Sequence, residues 1–118
     1  MKERPAVFTK EDRRAIGSAI LARLEELGAV VACVAAARNH LHLLVKMPAD
    51  RTRQWVGYAK RHAWFVMRPT GRFRKLWAGG AKFVAIRDRR HQLNVYEYIV
   101  RHAREGAWIW KFCNRNHA

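Results

Sequence analysis

The sequence predicts an α+β domain: an antiparallel sheet with helices packed on it. Three observations predict it. Apolar residues recur at helical spacing near the start (Ile16, Ile20, Leu24, Leu27). A continuous apolar run, Ala29 to Ala37, is followed at once by the alternating stretch His40 to Met47. Helical and extended patterns then continue to alternate, without an internal repeat or a linker, in the order helix, strand, strand, helix, strand, helix. A chain of 118 residues suffices for one such domain and is too short for two.

Each element has its own signal. Thr9 suits a helix N-cap, and Asp12 three residues on completes a capping-box pattern. The first helix runs over about residues 10–27 and stops at Gly28. AVVACVAAA, residues 29–37, is apolar and partly β-branched, as a buried strand is. Arg38-Asn39 makes the turn, HLHLLVKM (40–47) returns, and Pro48 ends the second strand because it has no amide hydrogen for the ladder. Residues 51–68 form a second helix, and the basic, turn-rich PTGRFRKLWAGG (69–80) a loop. KFVAIR (82–87) reads as a short strand. Asp88 caps a third helix over about 89–105, which ends near Gly106. The apolar AWIW that follows is expected to pack back as a strand, and Met1 to Phe8 form an arm or a short strand. The arrangement is close to a ferredoxin-like one whose first strand is short or missing.

Charge narrows the partner. There are 24 Lys plus Arg against 9 Asp plus Glu, a net charge of 24 − 9 = +15. A polyanion relieves that self-repulsion, nucleic acid before an anionic membrane surface. The excess crowds the centre of the chain, where Arg51, Arg53, Lys60, Arg61, Arg72, Arg74 and Lys75 are the DNA-binding candidates. Trp55, Tyr58, Trp64, Phe65, Phe73 and Trp77 are interleaved with them. Guanidinium groups grip phosphate and aromatic rings stack on exposed bases; a solvated helix face with core aromatics beneath it gives the same pattern. Cys33 and Cys113 are far apart and form no metal motif, which fits a reducing cytoplasm. The start has no apolar signal-peptide core, and no run approaches the ~20 apolar residues that span a bilayer. The expectation is a soluble, cytoplasmic protein that does not engage membranes.

The chemistry-bearing residues follow from periodicity. On a strand His40, His42, Leu44 and Lys46 share one face, while Leu41, Leu43, Val45 and Met47 share the core-facing one. Two imidazoles two residues apart can address one metal ion, although such a pair also occurs as ordinary surface histidines. On the third helix, at ~100° per residue, Leu93, Tyr96, Ile99, Val100 and Ala103 form the packing stripe. Tyr98 and His102 lie one turn apart on the other side. Tyr96 fits the packing role; Tyr98 is either an ordinary exposed tyrosine or a nucleophile. Three histidines holding a divalent cation beside Tyr98 would bind a phosphate where a tyrosine can attack it.

These residues lie in three blocks that together resemble the single-tyrosine HUH (His-hydrophobic-His) transposases of bacterial insertion sequences, including the REP-associated tyrosine transposases. The first block is NHLHLLVKMP, with His40-Leu41-His42; the second is LWAGGAKFVAIRD; the third is YEYIVRHAREGA. They stand in the family's order and cover about residues 8–110. The resemblance implies a ferredoxin-like domain that cleaves single-stranded DNA, often at a hairpin, through a 5′-phosphotyrosine intermediate. It implies Mg or Mn dependence and, as often in the family, a homodimer. Carried over by position, Tyr98 is the nucleophile and His40 and His42 are metal ligands. The family's third ligand, an Asn or Gln four residues after the tyrosine, is His102 here, and the family's Asn-Pro is His102-Ala103. A non-catalytic nucleic-acid-binding descendant, or another HUH endonuclease such as a replication initiator or relaxase, would share these blocks.

Counterion release predicts that affinity for single-stranded DNA falls by orders of magnitude between roughly 50 and 200 mM salt. Gel-shift titrations at the two concentrations check this; a salt-independent affinity would exclude the basic stretch as the DNA surface.

Overall fold

The structure is a computed structural model that describes residues 7–77 and 81–112. Helix α1, Lys10–Leu27, begins where Thr9 accepts a hydrogen bond from the Asp12 amide and the Asp12 carboxylate accepts one from the Thr9 amide. It ends at Gly28, whose φ of 101° is left-handed. Strands β1, Val30–Ala36, and β2, Leu41–Lys46, form an antiparallel hairpin. Helix α2 spans Thr52–Met67. Helix α3, Arg89–Val100, is capped by Asp88 and runs on as a 3-10 segment, Arg101–Glu105, that stops at Gly106. Strand β3, Trp108–Lys111, pairs antiparallel with β1 and completes a sheet of order β2-β1-β3.

The central strand β1 buries both faces. Val31 and Val34 pack with Ile16, Ile20 and Leu24 of α1 and with Ala59, Ala63 and Met67 of α2. Leu41, Leu43 and Val45 of β2 border this cluster, so the face expected to meet the core does so. Cys33 and Ala35 face the other way, onto Leu44 and Ile99 of α3. Val31 and Val34 share a face despite odd spacing because the register against β2 shifts between Val31 and Cys33. Ala32 is the extra residue of a β-bulge there. The result is α+β, one three-stranded antiparallel sheet with helices on both faces, compatible with a ferredoxin-like arrangement.

Two expectations are revised, those for KFVAIR and for the packing stripe of α3. KFVAIR forms no strand: residues 81–87 are exposed and have no ladder partner among the described residues, and strand propensity counts only where a neighbouring strand receives it. The strand expected of AWIW does form, over residues 108–111, on the edge of β1 that β2 leaves open. Of the two readings of Met1 to Phe8, an arm or a short strand, the described end, Val7 and Phe8, is not a strand. Phe8 is buried, donates its amide to the Arg38 carbonyl at 2.6 Å and packs edge-on against Phe73 and Trp77. Met1 to Ala6 and Cys113 lie outside the described residues. On α3, Leu93 is 45% exposed and Ala103 is exposed too, while Val95 joins Tyr96, Ile99 and Val100 against the sheet. Leu93 stands at the margin of the stripe, and the tighter 3-10 winding after Val100 rotates Ala103 away from it.

Two buried charged residues tie the pieces together. Arg13 donates from Nε to the Phe8 carbonyl at 3.0 Å and from Nη1 to the Gly106 carbonyl at 2.8 Å. Asp12 receives the fork of Arg72, one arm at 2.9 Å, which fastens the loop after α2 to the start of α1. The Arg72 hydrogen bond outweighs burial and holds the Asp12 carboxyl at about 2, below the ordinary 3.8.

Gly17 of α1 lies directly on the Trp108 ring of β3, where a Cβ would overlap the six-membered ring. Gly17→Ala should therefore destabilise by about 1–3 kcal/mol although alanine is the better helix former. Urea denaturation followed by circular dichroism checks this; an unchanged midpoint would mean that Trp108 can move aside.

Candidate functional site

The hairpin and α3 bring three histidines and a tyrosine to one place. His40 stands just ahead of β2, His42 lies in it, Tyr98 is in the last turn of α3, and His102 is in the 3-10 segment beyond. His42 pairs in register with the fully buried Ala35, whose small side chain keeps the sheet low under α3. Ring centroids are 4.7 Å apart for His40 and His42, 4.4 Å for His42 and His102, and 6.0 Å for His40 and His102. A ligand nitrogen from each ring lies within 4.8 Å of the other two. The Tyr98 ring is 5.1 Å from His102 and 5.8 Å from His42, and the residue is 56% exposed.

Hydrogen bonds set the tautomers. Nδ1–H of His102 donates to the carbonyls of Tyr98 (3.0 Å) and Ile99 (3.2 Å), since a carbonyl can only accept. Nδ1–H of His40 donates to the Asn39 side-chain oxygen at 2.7 Å. In the neutral rings both Nε2 lone pairs are then left for another partner, which is how metal-binding histidines are commonly oriented. His42 Nε2 is buried and has no hydrogen-bond partner among the described residues. Burial, and then the charges of His102 and His40, push the His42 imidazole down to about 4 from an ordinary 6.5. A neutral ring with an orphaned buried nitrogen, facing two more imidazoles, is a donor set that a divalent cation fits.

Most of the expected basic residues lie elsewhere. Lys60 and Arg61 of α2 and Arg74 and Lys75 of the following loop line one groove. Arg53 lies over the Phe83 ring at 4.9 Å, and Arg51 is exposed in the 3-10 turn before α2. Arg72 is engaged by Asp12. Of the interleaved aromatics, Trp55, Trp64, Phe73 and Trp77 pack against the core, whereas Phe65 (52% exposed) and Tyr58 face outward. Three residues beside the histidines escaped the sequence reading. A hollow next to His40 is bordered by Arg38, Asn39 and Glu105. Asn39 had a signal, its place directly before His40; Glu105 arrives only through the fold.

No family model, no curated protein and no solved structure matches the chain. Among the described residues no helix is long and apolar enough to cross a membrane.

A depressed His42 makes the folded state bind its proton less tightly than the unfolded chain. The contribution of His42 to stability is thus complete above the ordinary pKa of 6.5 and is lost as pH falls through about 4. Proton NMR of the metal-free protein should show the His42 ring titrating well below 6.5; an ordinary midpoint would mean that water reaches Nε2.

Proposed function

We propose that the protein cleaves and rejoins single-stranded DNA through a covalent tyrosine intermediate at a divalent cation held by His40, His42 and His102. The observation that carries this reading is the convergence of Tyr98 with three histidine nitrogens that lie within 4.8 Å of one another. The net charge of +15 supplies affinity for a polyanion, and the three sequence blocks resemble single-tyrosine HUH transposases in the same order. Three imidazoles suit Mn better than Mg, which prefers oxygen ligands and retains its water.

The chain's own groups divide the work. His40, His42 and His102 present lone pairs from two elements, so the position of α3 over the hairpin sets the site. Neutralising charge on the scissile phosphate is the chemistry that a bound cation supplies here. Tyr98 attacks phosphorus with its phenolic oxygen. The Tyr98 O–P bond forms as the bond from phosphorus to the 3′ oxygen breaks, and the 5′ phosphate stays on the tyrosine. The phenol loses its proton and the departing 3′ oxygen gains one. Attack by a 3′ hydroxyl on the phosphotyrosine reverses the step and rejoins a strand. Arg38, which borders the same hollow as His40, would meet a neighbouring phosphate on this reading. A second reading, nucleic-acid binding without chemistry, draws on the histidine at 102 where the resembled family has an amide. A homodimer and a hairpin substrate belong to the proposal through the resemblance alone.

Labelled single-stranded DNA carrying hairpins, incubated with Mn or Mg, should give a covalent adduct on a denaturing gel. Tyr98→Phe should abolish it, and His42→Ala should lower it by a hundredfold or more, on the order of losing a metal ligand. Salt-sensitive binding without an adduct in either metal would favour the non-catalytic reading.

A further inference from the structure

A basic groove lies on the other side of the sheet from Tyr98. α3 and the histidines occupy the face of Cys33, Ala35 and Leu44, whereas α2 belongs to the cluster on the opposite face. Between α2 and the loop that follows it runs an open groove of about 450 Å³. Trp64 and Trp77 contribute half-buried indole surface to it, and Leu76 is buried beneath. Lys60, Arg61, Arg74 and Lys75 border it, and none of the described residues that line it is acidic. Trp77 is fixed in place: its Nε1–H donates to the Lys60 carbonyl at 2.9 Å, and Lys60 Nζ lies 5.2 Å from the ring centroid. The loop itself is anchored to α1 through Arg72 and Asp12, so the groove is held in shape before any ligand arrives.

Gly57 lines this groove without contributing a side chain to it. It sits inside α2, where glycine costs about 1 kcal/mol against alanine. Its φ is not in the left-handed range, and a Cβ built on it meets nothing within 4 Å. Neither backbone conformation nor packing among the described residues requires glycine there. What the missing side chain does is leave space in the groove that Gly57 lines.

We propose that this groove binds one unpaired base of single-stranded DNA together with its flanking phosphates, as a site separate from the cleavage centre. The base lies against Trp64 and Trp77, and the four cations take the phosphates on either side. Fixed aromatic surface with cations around it is the arrangement that holds single strands without reading their sequence. A duplex, whose bases are already stacked, reaches only the cations. The inference takes its ligand class from the single-stranded DNA reading above, but it does not depend on cleavage.

The test measures binding of fluorescent oligothymidine, and of a duplex of equal length, by anisotropy in EDTA, where the cleavage centre holds no metal. Gly57→Leu fills the groove, leaves the charge unchanged and improves helix propensity, so the fold is retained. It should weaken oligothymidine binding at least about fivefold, the lower end of one base–aromatic stack, with little change for the duplex. Lys75→Glu, on the exposed loop, should weaken both. Wild-type affinity for oligothymidine in Gly57→Leu, an equal loss for duplex and single strand, or no binding of oligothymidine by the wild type would each overturn the proposal. Adduct formation at Tyr98, measured separately, judges the cleavage reading: a wild-type protein that forms the adduct but binds no oligothymidine in EDTA sinks only this inference.

Discussion

The structure depends on burying both faces of one short strand. Seven residues of β1 separate two apolar layers, α1 and α2 on one side and α3 on the other. Small side chains on both faces make this possible: Ala35 and Ala36 let the layers close on the sheet, while Val31 and Val34 fill the α1 side. Near-continuous apolar sequence is what a strand buried on both faces requires. β2 and β3 flank β1, and each carries apolar residues into the cluster shared with α1.

The candidate metal centre is a consequence of that layering. His42 shares the face of Leu44, so the same alternation that sends Leu43 and Val45 to α1 sends His42 toward α3. Placed under α3 it loses water, and desolvation keeps it neutral. The position of α3 in turn rests on Ile99 in the second apolar layer and on Arg13, which reaches the Gly106 carbonyl just beyond the segment holding His102. A buried arginine of α1 thus helps to place a histidine on the far side of the sheet.

Charge is distributed unequally over this frame. The histidine cluster contributes lone pairs, whereas the groove beside α2 contributes four cations. In a chain with a net charge of +15, the two regions would on the proposed reading take different parts of one anionic strand, a scissile phosphate at the first and a passive length at the second. Asp12 is the acidic residue that draws one of the central arginines, Arg72, out of that surface and into the scaffold.

Local physics made much of this legible in the sequence. Thr9 with Asp12, Gly28, Asp88 and Gly106 mark helix ends because capping needs only residues within a turn of each other. The two faces of β2 and the pairing of Tyr98 with His102 followed from backbone periodicity alone. Contacts between residues distant in the chain were not legible. KFVAIR and AWIW both read as strands in the sequence, but only the fold decides that the second of them receives the open edge of β1. Trp64 and Trp77 looked the same as Phe65 in sequence; burial alone separates them. The convergence of His40, His42 and His102 could be anticipated as types on faces. Their approach to within 4.8 Å, and the capture of Arg72 by Asp12 from 60 residues away, were decided by tertiary packing, because no local rule sets the distance between two elements.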